Sequence, residues 1–296
     1  MRLQAFDLPD PVPELNGPHA LAVIRPWIDA GSAGSLLLTS LEEQLNSGEL
    51  ARLARPGNFF DFTRYRPTMT RQDNSTDVVI PNTVVTYGRQ PGGSDFLLLR
   101  LLEPQAMAEE YIDSVVELFK AMGVRRYCMV GSMYDMVPHT RPLLVTGSAS
   151  NLGLQSGLDV ANVRQSDYQG ETTILSLIGQ RVVQLGLEAC SMILHLPNYL
   201  GMEKDYRGAK RLMEVISSLY GGFALSPEDL GKAAEQEQQV SASAEQIIHQ
   251  EPRLGLILKQ LEANYDSRNK EENGETPLSP EIETFLRGLD SRFRQT

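Results

Sequence analysis

Ser132, Asp135, His139 and Arg141 fall within one short segment, Ser-Met-Tyr-Asp-Met-Val-Pro-His-Thr-Arg, with Thr140 between the last two. A hydroxyl, a carboxylate and an imidazole are the parts of an activated nucleophile. A guanidinium holds a carboxylate or phosphate through two parallel hydrogen bonds. The segment follows an apolar strand ending at Val130, so it stands at a strand's carboxyl end, where open α/β sheets collect ligands. Closeness in sequence does not supply the geometry of a triad, however. No Gly-x-Ser-x-Gly elbow is present. Pro138 and Pro142 equally suit a rigid turn in which His139 and Arg141 hydrogen-bond neighbouring loops or subunits.

A second place for chemistry is the turn holding Asp29, Gly31 and Ser32, between an apolar strand and a helix. A helix start offers free N–H groups to an anion, and glycine lets a ligand approach the backbone. The alternative is that Asp29 or Ser32 caps the helix. Neither a Walker sequence nor Gly-x-Gly-x-x-Gly is present, so no nucleotide cofactor is expected. Arg66 is either an anion contact or an interface pair, and its simpler reading is a surface ion pair. His195, two residues before Pro197, would line the same cleft or serve as a hydrogen-bonded structural residue. His19 and His249 stand apart with no metal-ligand spacing, so no metal site is expected.

These residues need elements to position them. Ala20–Ile24 reads as a buried strand, and Leu37, Leu38, Leu41 and Leu45 as a helix that stops before Gly48. Phe59–Pro67 reads as extended through its aromatic content, and Val78–Tyr87 as a β-run interrupted at Pro81. Phe96–Leu102 is a continuous apolar strand. Pro104 opens a helix with Met107, Tyr111, Val115, Leu118, Phe119 and Met122 on one face, ended by Gly123. The strand Tyr127–Val130 follows. The same order recurs in the helix carrying Ile174, Ile178, Val182 and Leu185, then Gly186, then the strand Ala189–Leu196. Strands alternating with helices imply an α/β fold, with a mixed, largely parallel sheet covered on both faces. A further helix runs over 205–219.

Past Gly221-Gly222 the composition shifts to Ala, Glu and Gln. The chain divides into an α/β/α part over 1–222 and a helical arm or hairpin over 223–266, split at Pro252. A linker over 267–278 and an amphipathic helix over 279–296 follow. Ile282, Phe285, Leu286, Leu289 and Phe293 form that helix's apolar stripe, suited to docking on its own domain, a second subunit or a partner.

Composition limits the partners. The net charge of -11 repels phosphate backbones and anionic membrane surfaces, so neither nucleic acid nor a membrane is an expected partner. Cys128 and Cys190 lie in apolar runs with no Cys-x-x-Cys spacing, which suits buried thiols in a reducing, cytoplasmic setting. Met1–Pro13 has neither the basic nor the apolar region of a signal peptide.

Several ordered segments resemble the PAC2 family, named for a proteasome assembly chaperone subunit. Trp27-Ile28-Asp29-Ala30-Gly31-Ser32-Ala33 is similar to the family's Trp-x-Asp-Ala-Gly turn. Phe60-Asp61-Phe62 with Arg66-Pro67-Thr68 resembles its Tyr-Asp-Phe…Arg-Pro segment. Pro138-His139-Thr140-Arg141-Pro142, followed by Val145-Thr146-Gly147, resembles its Pro-His-Thr-Arg-Pro motif. Tyr168-Gln169-Gly170 and Leu196-Pro197-Asn198-Tyr199 fit two later positions. The resemblance implies a three-layer α/β/α fold similar to nucleoside phosphorylases and related hydrolases. It also implies homo-oligomers or assembly with other proteins, and it implies no particular reaction. Members that dock on proteasomes can end in hydrophobic-Tyr-any. This chain ends Arg294-Gln295-Thr296 and departs from that pattern, so the resemblance does not carry docking of that kind over to it. Two functions are therefore expected in competition. One is an oligomeric interaction scaffold or assembly chaperone. The other is a binder of, or enzyme for, a small nucleoside-, phosphate- or carboxylate-bearing ligand.

Overall fold

The structure, a computed structural model, describes residues 1–72, 75–250 and 252–268. The helix expected over 279–296, with Ile282, Phe285, Leu286, Leu289 and Phe293, lies outside the described residues, as does most of the linker before it.

Twelve strands follow the chain: β1 Arg2–Leu3, β2 Phe6–Asp7, β3 His19–Arg25, β4 Gly48–Leu53, β5 Thr68–Gln72, β6 Ser75–Val79, β7 Val84–Gly88, β8 Phe96–Leu102, β9 Arg126–Asp135, β10 Val145–Ala149, β11 Arg164–Gln165 and β12 Glu188–Pro197. The helices are α1 Ala33–Gln44, α2 Ala108–Met122, α3 Leu152–Val160, α4 Ile174–Gln184, α5 Tyr206–Tyr220, α6 Pro227–Gln250 and α7 Pro252–Arg268. Ten strands form one sheet in the order β1-β2-β4-β7-β8-β3-β9-β12-β10-β11. Its centre, β8-β3-β9-β12, is parallel, and antiparallel strands extend it on both sides.

The central strands are apolar at nearly every position because both sheet faces are covered. Side chains alternate along β3. Leu21 and Val23 join the core under α1, α3 and α5, with Leu37, Leu41, Leu158, Leu212 and Ile216. Ala20, Ala22 and Ile24 join the core under α2 and α4, with Tyr111, Val115, Phe119, Ile178 and Val182. The fold is a three-layer α/β/α sandwich with a helical C-terminal appendage. No described helix is long and apolar enough to cross a membrane. Cys128 and Cys190 are register partners on β9 and β12, and both are buried free thiols.

Three segments differ from the sequence expectation. Phe59–Pro67 is not a strand: Pro56 starts a short 3-10 turn, and Asp61 accepts from the Thr63 N–H at 2.8 Å in a local turn. Its aromatics are there to pack, since Phe59 and Phe60 lie against Tyr111. Pro104 does not open α2, which starts at Ala108 after Met107 in a left-handed conformation. Gly123, at φ +69°, does end it. Ser132–Asp135 belong to β9, not to a loop.

His19 on β3 sits beside Phe96 and Tyr220, with ring centroids at 6.3 and 5.2 Å. Burial, and then the nearby Arg126 guanidinium, lower its pKa from 6.5 to about 4. The unfolded chain thus binds a proton on His19 below 6.5, which the folded chain refuses until about 4. This residue's contribution to stability is complete above pH 6.5 and is lost as pH falls through that window. The melting temperature is expected to drop between pH 6.5 and 4, and to drop less in His19→Phe. Equal drops in the two proteins would contradict the assignment.

Candidate functional site

The loops that follow β3, β9 and β12 meet at the carboxyl ends of the parallel strands. A bridge between Asp29 and Ser132 ties the first of these loops to β9 itself. Ser132 is fully buried, donates its backbone N–H to the Ile28 carbonyl at 2.8 Å, and donates its hydroxyl to the Ala30 carbonyl at 2.8 Å. It serves as a latch between β9 and the turn after β3.

Asp29 caps α1. Its Oδ1 accepts from the N–H groups of Gly34 at 2.9 Å and Ser35 at 3.2 Å, and its Oδ2 accepts the Ser35 hydroxyl at 2.6 Å. The positive end of this helix therefore already faces a carboxylate of the protein itself. Ser32, at φ +50°, makes no side-chain cap bond. Gly31, at φ +57°, is buried against the start of α5: its carbonyl accepts from the Asp205 N–H at 2.7 Å, and a Cβ at this position would lie 2.8 Å from the Asp205 Cβ. Asp205 caps α5 through the Gly208 N–H at 2.9 Å and pairs with the buried Arg207 at 2.7 Å.

The Pro138–Pro142 segment is bonded to α7. Arg141 donates Nε and Nη2 to the two carboxylate oxygens of Asp266 at 2.8 and 2.7 Å, and Nη1 to Glu262 at 3.3 Å. Thr140 donates its hydroxyl to the same Glu262. Tyr265 donates to the Pro142 carbonyl at 2.9 Å, and its ring lies under the Arg164 guanidinium. The anion partners of Arg141 are thus carboxylates of the helical arm. Sequence reasoning did not single out Glu262 or Asp266, because nothing in the pattern of the arm shows which loop it meets.

His139 turns to Tyr199: the hydroxyl accepts the His139 N–H at 2.9 Å and bonds ring Nδ1 at 2.9 Å. Burial, and then the positive charge of Arg207, lower the His139 pKa. Burial raises the Tyr199 phenol to about 12. Both groups are held neutral.

Asp135 pairs not with His139 but with His195, Oδ2 to Nδ1 at 2.8 Å. The other ring nitrogen of His195 lies 2.9 Å from the hydroxyl of Thr146. Ser132, His139 and Asp135 therefore have three separate partners and form no relay among themselves. Arg66 is exposed at the base of the β5–β6 hairpin and makes no hydrogen bond or ion pair with the other candidates among the described residues. A groove of about 350 Å³ lies away from the strand ends, between α5 and the start of α6, where Met213, Phe223, Leu225 and Leu230 line it. Among the described residues no cluster of His, Cys, Asp or Glu is arranged to hold a metal.

If Asp29 is a cap, Asp29→Ala destabilises the fold by about 0.5–2 kcal/mol in a denaturant titration, while Asp29→Asn keeps most of the stability. An unchanged midpoint in Asp29→Ala would show that the carboxylate is not needed by the helix.

Among curated proteins no sequence match is found. Solved structures do match. A Mycobacterium tuberculosis protein of unknown function is 26% identical, with a TM-score of 0.73 over 91% of each chain. A M. tuberculosis proteasome-assembly chaperone homologue is 19% identical, with a TM-score of 0.68 over 76% of this chain and 94% of that one. Pyrococcus furiosus PbaB, an archaeal proteasome activator, is 16% identical, with a TM-score of 0.64 over 80% of this chain and 97% of that one. The last two likenesses are of fold alone. The family model described as the PAC2 family matches residues 23–244, which take in the strands from β4 to β12, the latch at Ser132 and most of α6. The chain belongs to the PAC2 family.

Proposed function

We propose that this protein is an oligomeric protein-interaction scaffold of assembly-chaperone type, with further copies of itself as its first partner. The observation that carries this reading is the hairpin β5–β6. It forms a two-stranded sheet of its own, apart from the main sheet. It leaves Met69 72%, Val78 56%, Val79 57% and Ile80 48% exposed. An isolated hairpin is marginally stable in water, and contiguous exposed apolar side chains mark interaction sites. Met69 and Val78 are cross-strand partners and so share one face of the hairpin. Family membership supports the same reading, since one structural relative is described as a proteasome-assembly chaperone homologue.

The alternative, a site for a small anionic ligand at the strand ends, has less support. Asp29 is engaged with its own helix and Arg141 with Asp266 and Glu262. An anion would have to displace carboxylates of the protein.

Sedimentation velocity tests the scaffold reading. The wild-type chain is expected to sediment as a defined oligomer, and Met69→Asp with Val78→Asp to shift it to smaller species with an unchanged circular dichroism spectrum. A monomeric wild type, or an oligomer indifferent to both substitutions, would contradict the hairpin's role.

A further inference from the structure

Asp135, His195 and Thr146 stand on the neighbouring strands β9, β12 and β10, and their side chains leave the same face of the sheet. The register produces this. His195 pairs with Met133, two residues before Asp135, so the two share a face of the parallel β9–β12 pair. On the other side, Thr146 pairs with Ile193, two residues before His195, so these also share a face of the antiparallel β10–β12 pair.

The hydrogen bonds along this row have a fixed direction. The Met136 N–H donates to Asp135 Oδ1 at 2.7 Å and orients the carboxylate. Oδ2 lies 2.8 Å from His195 Nδ1. An ionised carboxylate only accepts, so in the neutral ring Nδ1 carries the proton. Nε2 then holds a lone pair and accepts the Thr146 hydroxyl at 2.9 Å. Carboxylate, imidazole and hydroxyl are thereby linked in the order and polarity in which an imidazole draws a proton from a nucleophile.

Both ends of the row are half-buried, with the Asp135 side chain 30% exposed, and the His195 side chain between them is 12% exposed. Thr146 is half-buried, and Ser148, next on this face of β10, is exposed. Ser148 and its neighbour Ser191 bond each other at 3.1 Å. Half-buried Met133 and Ile193 flank the histidine and the threonine on the same face. On the other side Arg164 of β11 is the register partner of Thr146 and shares its face, with its guanidinium over the Tyr265 ring, so the hydroxyl stands between apolar side chains and a cation.

We propose that Thr146 is the nucleophile of an acyl-transfer site for small esters, with His195 as general base and Asp135 as the positioning residue. The Thr146 oxygen bonds to the carbonyl carbon while its proton passes to His195 Nε2. The bond from that carbon to the leaving oxygen then breaks, and the departing alcohol takes the proton from Nε2. A water molecule, deprotonated by the same nitrogen, hydrolyses the acyl-threonine and releases the acid, which restores the hydroxyl. The sum is ester plus water giving acid plus alcohol. This site does not depend on the scaffold reading, since it lies on the main sheet and the exposed hairpin forms a separate one.

The test uses the full chain with p-nitrophenyl acetate, read by nitrophenol release and by peptide mapping of the acetylated protein. The expected result is one rapidly formed acetyl group on Thr146, which Thr146→Ser retains. Thr146→Val keeps the side chain's shape and is expected to lower the release rate at least about a hundredfold, as is His195→Gln. Asp135→Asn lowers it while leaving Thr146 in place, because an amide no longer dictates the ring's tautomer. Acetylation confined to lysines or to the amino terminus, or release unchanged in Thr146→Val, would overturn the proposal. Because Thr146→Val is nearly isosteric, a melting curve matching wild type separates loss of chemistry from loss of fold.

Discussion

The parallel pairing of β9 with β12 is the constraint on which the rest of the structure depends. The two ten-residue strands run side by side from Arg126–Glu188 to Asp135–Pro197. Their amino-terminal ends are joined by the Arg126–Glu188 ion pair at 2.6 Å. Their middles carry the buried thiol pair, and their carboxyl ends bring Asp135 to His195. A slip of one residue would turn every side chain of one strand to the opposite face. Leu194 would leave the core shared with Leu212 and Ile216, and His195 would enter it. The hydrophobic layers and the polar row across β9, β12 and β10 are therefore specified by one register.

The carboxyl end of this sheet, where an open α/β fold ordinarily leaves room for a ligand, is occupied by the protein's own polar groups. Asp29 and Asp205 close the starts of α1 and α5, and the bare backbone of Gly31 lets those two starts meet. Arg141 is satisfied by two carboxylates of α7. The open surfaces lie elsewhere: the apolar hairpin β5–β6, and the polar row that reaches the half-buried Thr146. This distribution is what ranks protein interaction above anion binding.

Much of the fold was legible in the sequence. Leu21 to Ile24, Phe96 to Leu102 and Ala189 to Leu196 are apolar runs because their strands are buried on both faces, and that property survives without coordinates. Ser132 was harder. Gly131 and Ser132 interrupt the apolar run and read as a loop, yet Ser132 is fully buried in β9 with its hydroxyl on the Ala30 carbonyl. The aromatic stretch at Phe59 misled for the opposite reason, since its rings pack on Tyr111 from an irregular segment. At the site, the residue types were visible but their partners were not. Asp135 lies nearer His139 in sequence, but the strand register gives it to His195, and His195 to Thr146. Periodicity reports which face a residue takes. It does not report which strand lies beside it.

The direction of the hydrogen bonds through His195 is the most direct test of this account. Nitrogen-15 NMR on histidine-labelled protein, assigned with His195→Gln, distinguishes the two neutral tautomers. The account predicts a neutral His195 protonated at Nδ1, with Nε2 the unprotonated nitrogen facing Thr146. A neutral ring protonated at Nε2 would contradict it, because Asp135 would then not orient the ring and Thr146 would have no base.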